Sequence, residues 1–159
     1  MNQSQFFITR LDVTGPSRLA LAFADGQRFD VELGDVIARH PALAPVADPA
    51  VFAQAALDEW QRGIVFAGDE DLGLASDNLR ALAIEQAGGF SHQQLLAWMS
   101  HHGLTLEAAA HALDISRRML AYYRSGAKPI PRTVGLAMLG WETMRANDMR
   151  HAFDYGQAA

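Results

Sequence analysis

The chain has no cysteine among its 159 residues, which excludes disulfides, thiolate metal sites and cysteine nucleophiles. It has no apolar run of roughly twenty residues and no signal-peptide pattern, so a cytoplasmic protein with no membrane partner is expected. There is no G-x-x-x-x-G-K-[ST] loop and no G-x-G-x-x-G after a strand. A G-x-S-x-G nucleophile elbow is missing as well. Ser, His and Asp are all present, but nothing local sets them in a triad. No enzymatic activity and no cofactor are expected. Internal repeats and low-complexity runs are absent too. The histidines offer little to a metal: His101 and His102 are adjacent, and Glu107 and His111 share one helical turn, which is two ligands and not a site. Asp69-Glu70-Asp71 lacks the spacing and glycine of an EF-hand loop and reads as a solvated turn.

What is present is a globular composition, half of it apolar, in a length that fits one domain or two small ones. The net charge of −5 is unevenly spread. Residues 1–90 hold 6 Lys/Arg against 13 Asp/Glu, giving −7, whereas residues 91–159 hold 7 against 5, giving +2. An acidic half joined to a mildly basic one implies two modules with different partners. Within the second, the span from Ile115 to Trp141 carries Arg117, Arg118, Arg124, Lys128 and Arg132 and no acidic residue. A face that served solubility alone would mix signs.

The first module reads as α+β, with small antiparallel sheets and short helices. Phe6 to Val13 is strand-like, and Gly15-Pro16 turns. Leu19, Leu21 and Phe23 alternate, Asp25-Gly26 signals a two-residue hairpin, and Phe29, Val31 and Leu33 resume the alternation. Asp35 to His40 is a short helix before Pro41, and Asp48-Pro49 starts another. Ala55 to Trp60 and Ile64 to Phe66 form a second strand pair, followed by an acidic loop from Gly68 to Gly73. Ser76 or Asp77 caps a helix through Gln86. Gly88-Gly89 is the expected boundary, dividing 1–87 from an all-α domain at 90–150 and a tail at 151–159. Trp60 and Trp98 are expected in cores.

Ser91 and Gln94 form a capping box that opens the helical half, and Phe90 is placed to staple onto Leu95. Its centre is TLEAAAHALDISRRMLAYYRSG, Thr105 to Gly126. Thr105 and Ser116 are N-caps for two short helices, and Gly126 with Pro129 and Pro131 ends the second. At about 100° per residue, Arg117, Arg118, Ala121, Tyr122, Arg124 and Ser125 fall within an arc of roughly 160°. Ser116, Met119, Leu120 and Tyr123 fall opposite. One face packs and the other presents cations with an aromatic, the requirement for a helix read against the DNA major groove. A last helix runs from Pro131 to about Asp148.

This stretch resembles the helix-turn-helix of Cro/C1-type (XRE) repressors. Ala110 matches the small residue at the helix crossing, and Ala109, Leu113, Ile115, Leu120 and Tyr123 match core positions. The chain departs from that pattern at Leu106, where the family often has glutamine, and at Asp114, where it favours glycine. The first module, through LAFADGQRFDVEL and DPAVFAQAALDEWQRGIVF, resembles the domain-of-unknown-function family 2442, some members of which carry such a helix-turn-helix behind it. The resemblances cover Phe6 to about Leu79 and Ser91 to Glu142. They imply a DNA-binding transcriptional regulator with Ser116, Arg117, Arg118, Ala121 and Tyr122 facing bases. Arg124, Lys128 and Arg132 are expected at phosphates. A homodimer on paired half-sites is expected, with Met138, Trp141, Met144 and Met149 available for contact. The acidic module would sense a ligand or bind a protein partner. Leu106 and the acidic total also fit an alternative, a protein-interaction module that no longer binds DNA, such as an antitoxin-like partner.

Overall fold

The computed structural model describes residues 3–147 and 152–156. It is α+β, with two small antiparallel sheets early in the chain and helices that predominate later. In the first sheet, β1 (Ile8–Val13), β2 (Arg18–Phe23) and β3 (Arg28–Glu32) lie in sequence order. Leu19 pairs with Val31 and Leu21 with Phe29, so the alternation of both strands delivers its apolar residues to one side. The hairpin at Asp25-Gly26 is longer than its dipeptide signals. Phe23 N–H donates to the Gln27 carbonyl and Gly26 N–H to Phe23, which leaves a three-residue loop. Only Gly26 in it has a positive φ, at 90°.

The second sheet contains β4 (Ala55–Leu57), β5 (Gly63–Phe66) and β6 (Asp69–Ala75). The acidic loop expected from Gly68 is therefore mostly strand. Ala67 and Gly68, at φ 54° and 66°, form the two-residue turn that reverses the chain, and β6 then pairs with β5. Its acidic side chains face solvent while Leu72 is buried. Trp60, expected in the core, is instead 71% exposed in the β4–β5 turn, where Asp58 Oδ1 accepts from the backbone N–H groups of Trp60 and Arg62.

Both sheets bury their apolar faces in one cluster with Ile37 of α1 (Gly34–Arg39), Leu43 and Val46 of a 3₁₀ stretch (Pro41–Ala47), and Phe52 of α2 (Pro49–Phe52). Leu79 and Ala83 of α3 (Ser76–Gln86) close it. The edge of β3 is covered by one amide: Gln86 Nε2 donates to the Glu32 carbonyl at 2.7 Å and Gln86 Oε1 accepts from Glu32 N–H at 2.8 Å. Ser76 and Asp77 lie inside α3, and Ala75 is its N-cap. The Gly88-Gly89 pair closes the helix, with Gly88 N–H on Glu85 and Gly89 N–H on Ile84, the Schellman pattern. The pair is thus a hydrogen-bonded cap, and Ser91 starts the next helix two residues later.

That helix is α4 (His92–His101), followed by α5 (Leu106–Ala112), α6 (Arg117–Arg124) and α7 (Arg132–Ala146). The Ser91/Gln94 capping box is reciprocal. Phe90 lies over Gly135, where a Cβ would come within 2.1 Å of its ring. A second buried cluster gathers Leu95, Trp98, Leu113, Leu120, Val134 and Met138, with Trp141 partly buried against it. Met138 and Trp141 are therefore occupied within the chain, while Met144 is exposed. Met149, Asp148 and part of the tail at 151–159 lie outside the described residues. Among the described residues no helix is long and apolar enough to cross a membrane.

Candidate functional site

The α5–α6 corner is built by its caps. Thr105 accepts from Ala108 N–H and opens α5, and Ser116 accepts from Met119 N–H and opens α6. Between them Asp114 adopts φ 53°, with its N–H on His111 and that of Ile115 on Ala110. Asp tolerates the left-handed conformation better than most non-glycine residues, so the corner forms without glycine. Ala109 and Ala110 are buried at the crossing, and Leu120 is wholly buried beneath α6 with Tyr123 beside it. Leu106 packs partly against this core.

The opposite face of α6 carries the cations. Arg117, Arg118 and Arg124 are exposed, Ala121 and Tyr122 half-buried, and Ser116 exposed at the helix start. Lys128 follows the helix and Arg132 begins α7, both exposed. Three of these groups meet. Arg118 Nε donates to Tyr122 Oη at 3.2 Å, and Arg118 and Lys128 lie 5.7 and 4.7 Å from the centre of the Tyr122 ring. The hydrogen bond from Arg118, with the charges of Arg118 and Lys128 behind it, holds the Tyr122 hydroxyl below the ordinary phenol range. Arg117, Arg124 and Arg132 make no ion pair among the described residues. Arg117 and Arg118 are also the first two residues of α6, whose first turn has no acid. Cations there oppose the helix dipole at about 0.3–1 kcal/mol each. A nearby anion would relieve both the charge and the free N–H groups.

A second set of residues, which the sequence did not single out, fixes the far end of α6. Gln5 Nε2 donates to the Ser125 carbonyl at 3.4 Å. Phe6 lies 5.3 Å from the His92 ring, and a Cβ at Gly126 would come within 3.0 Å of it. Arg80, buried in α3, donates to the Gln5 carbonyl at 2.9 Å and to Asp25 at 2.7 Å, with its guanidinium 5.0 and 5.2 Å from the centres of the adjoining Phe23 and Phe29 rings. Burial pushes the His92 imidazole below its ordinary value and Arg80 adds to this, while Asp77 and Glu85 oppose it. An arginine within the apolar run of α3 was the one signal of this joint.

No family model matches the chain, including models of the two families its motifs resemble. No curated protein matches it. It is similar to a solved crystal structure from Nitrosomonas europaea ATCC 19718, described as "Putative DNA Binding Protein NE0471", at 40% identity with a TM-score of 0.79. The match covers 91% of this chain and 92% of that one.

Proposed function

We propose that the chain, which belongs to the family of this Nitrosomonas europaea protein, binds duplex DNA as a transcriptional regulator of the Cro/C1-like helix-turn-helix kind. The observation that carries the reading is the exposed cationic face of α6, without an ion pair among the described residues, opposite the buried Leu120 and Tyr123. Arg forks at the start of α6 suit guanine O6 and N7. Arg117 and Arg118 are assigned to bases, with Ser116, Ala121 and Tyr122 beside them. Ser116 spends an oxygen lone pair on its cap and keeps its hydrogen to donate. Arg124, Lys128 and Arg132 are assigned to phosphates, which position without reading sequence. One such helix covers little DNA, so a homodimer on paired half-sites is the proposed binding form. Residues 90–150 would be the DNA-binding domain, and 1–87 a family 2442-like domain that senses a ligand or holds a protein partner.

The test is a titration against selected and scrambled duplexes at several salt concentrations. Arg117→Ala and Arg118→Ala should each cost about 1–3 kcal/mol of specific binding and relax preference at one base position. Lys128→Ala should weaken all duplexes alike and reduce the salt slope by about one. Leu120→Ala is the control, losing roughly 2–5 kcal/mol of stability. Unchanged affinity in a folded Arg117→Ala/Arg118→Ala double variant would reject the reading and leave the protein-interaction module, which the core-packed Leu106 favours.

A further inference from the structure

The outer face of the first sheet has a charge pattern that the function above does not use. Strand register sets it. Arg10 pairs with Ala22 and Ala22 with Arg28, while two residues along, Asp12 pairs with Ala20 and Ala20 with Asp30. Beside the rung where Arg18 pairs with Glu32, the face therefore carries one rung with an arginine at each end and one with an aspartate at each end. Alanine sits at the centre of both. With strands about 4.8 Å apart, like charges are separated by about 10 Å across a rung, and the two rungs lie about 7 Å apart along the strands.

All four charged residues are exposed and the alanines half-buried, flooring a shallow depression of about 360 Å³. Within one chain Arg10 reaches Asp12 along its own strand at 2.7 Å, with the two side chains 73% and 50% exposed. Arg28 and Asp30 have no ion pair among the described residues. The patch is electrically neutral in a half of the chain that carries −7.

We propose that this face is a self-association surface whose partner is a second copy of the same chain. The pattern is self-complementary in one orientation only. A two-fold axis lying between the sheets, parallel to the rungs and midway between them, sets the arginine rung of each copy over the aspartate rung of the other. Arg10 then meets the partner's Asp12, Arg28 meets the partner's Asp30, and Ala20 meets the partner's Ala22. An axis along the strands would oppose like charges. A partner of uniform sign would attract one rung and repel the other, whereas the rotated copy carries the required alternation at the required spacing. The contact is isologous and closes on itself. The alanine column lets the two sheets approach, with the arginines spanning the gap at its margins. Three short strands bury less than the roughly 800 Å² per partner of a stable interface, so the dimer is weak on its own. The inference rests on the sheet alone and not on the DNA reading.

The experiment is sedimentation of the full chain without DNA, up to about 1 mM protein, the range in which so small a contact is populated. Wild type should associate at low salt and dissociate near 1 M, where screening shortens to about 3 Å. Arg10→Asp/Arg28→Asp makes both rungs acidic, and Asp12→Arg/Asp30→Arg makes both basic. Each variant alone should stay monomeric, and an equimolar mixture of the two should associate at least as well as wild type. Restoration in the mixture also shows that both variants fold. Wild type monomeric at low salt throughout would overturn the proposal, as would association by either variant alone equal to wild type, or a mixture that stays monomeric.

Discussion

In the sheet-bearing half, Arg80 is 6% exposed, hydrogen-bonded to Asp25 and the Gln5 carbonyl with two phenylalanine rings beside it. In the helical half, Arg117 stands in solvent at the positive end of a helix whose first turn holds no acid. The same side chain is consumed by the fold in one place and kept out of it in the other. A guanidinium removed from water must have its donors matched, and Arg80 organises three elements to do so. Arg117 makes no ion pair among the described residues and costs its helix a little.

The sharpest way to break the contrast is Arg80→Ala. It strands the half-buried Asp25 carboxylate and the Gln5 carbonyl, and should cost about 3–5 kcal/mol in urea unfolding. A loss below 1 kcal/mol would mean that the joint is decorative. Next in size is Asp114→Ala, which should lose about 1–2 kcal/mol because alanine resists the left-handed conformation, whereas Asp114→Gly should hold or gain stability. Equal melting temperatures for the two variants would deny strain at the corner.

The His92 joint should add a smaller effect that varies with pH. Its folded-state pKa is lowered, chiefly by burial. The unfolded state therefore binds the proton more readily than the folded state. The stabilising contribution is complete above the ordinary imidazole value near 6.5 and is lost as pH falls through the folded-state value. Melting between pH 7.5 and 5 should show this slope in wild type and a shallower one in His92→Gln; identical slopes would exclude the residue. The smallest effect has the opposite sign. Arg117→Glu should raise stability by about 0.5 kcal/mol by matching the helix dipole, while removing the DNA affinity proposed for the protein. A destabilised variant would show that Arg117 serves the fold after all.

Features governed by near neighbours were legible in the sequence. The alternations around Leu19 and Val31, the caps at Asp48, Ser91, Thr105 and Ser116, the outward arginines and the tolerance of Asp114 all depend on residues within a few positions. The misreadings have longer-range causes. β6 reads as a loop because, as one strand of a small sheet, it has little to bury beyond Leu72 and Leu74, and because its turn is Ala-Gly without Asn or Asp. Trp60 reads as core because size and hydropathy say nothing of a turn that places it outside a narrow sheet. At the candidate site the sequence supplied the cationic face. The Lys128 approach to Tyr122 and the Gln5 bond to Ser125 depend on how the chain returns in space, and no local pattern carries that.

The Gln5 contact also bears on how the protein is made. Its carbonyl waits 75 residues for Arg80 and its amide 120 residues for Ser125. At about 5–20 residues per second, the second wait lasts roughly 6–24 s. Hairpins form in microseconds, so the first sheet has ample time to close while the ribosome is still translating the helices. The Gln5 carbonyl and amide therefore both lack these partners until Arg80 is made, the carbonyl alone can be satisfied from residue 80 to residue 125, and the end of α6 is what arrives to complete the contact.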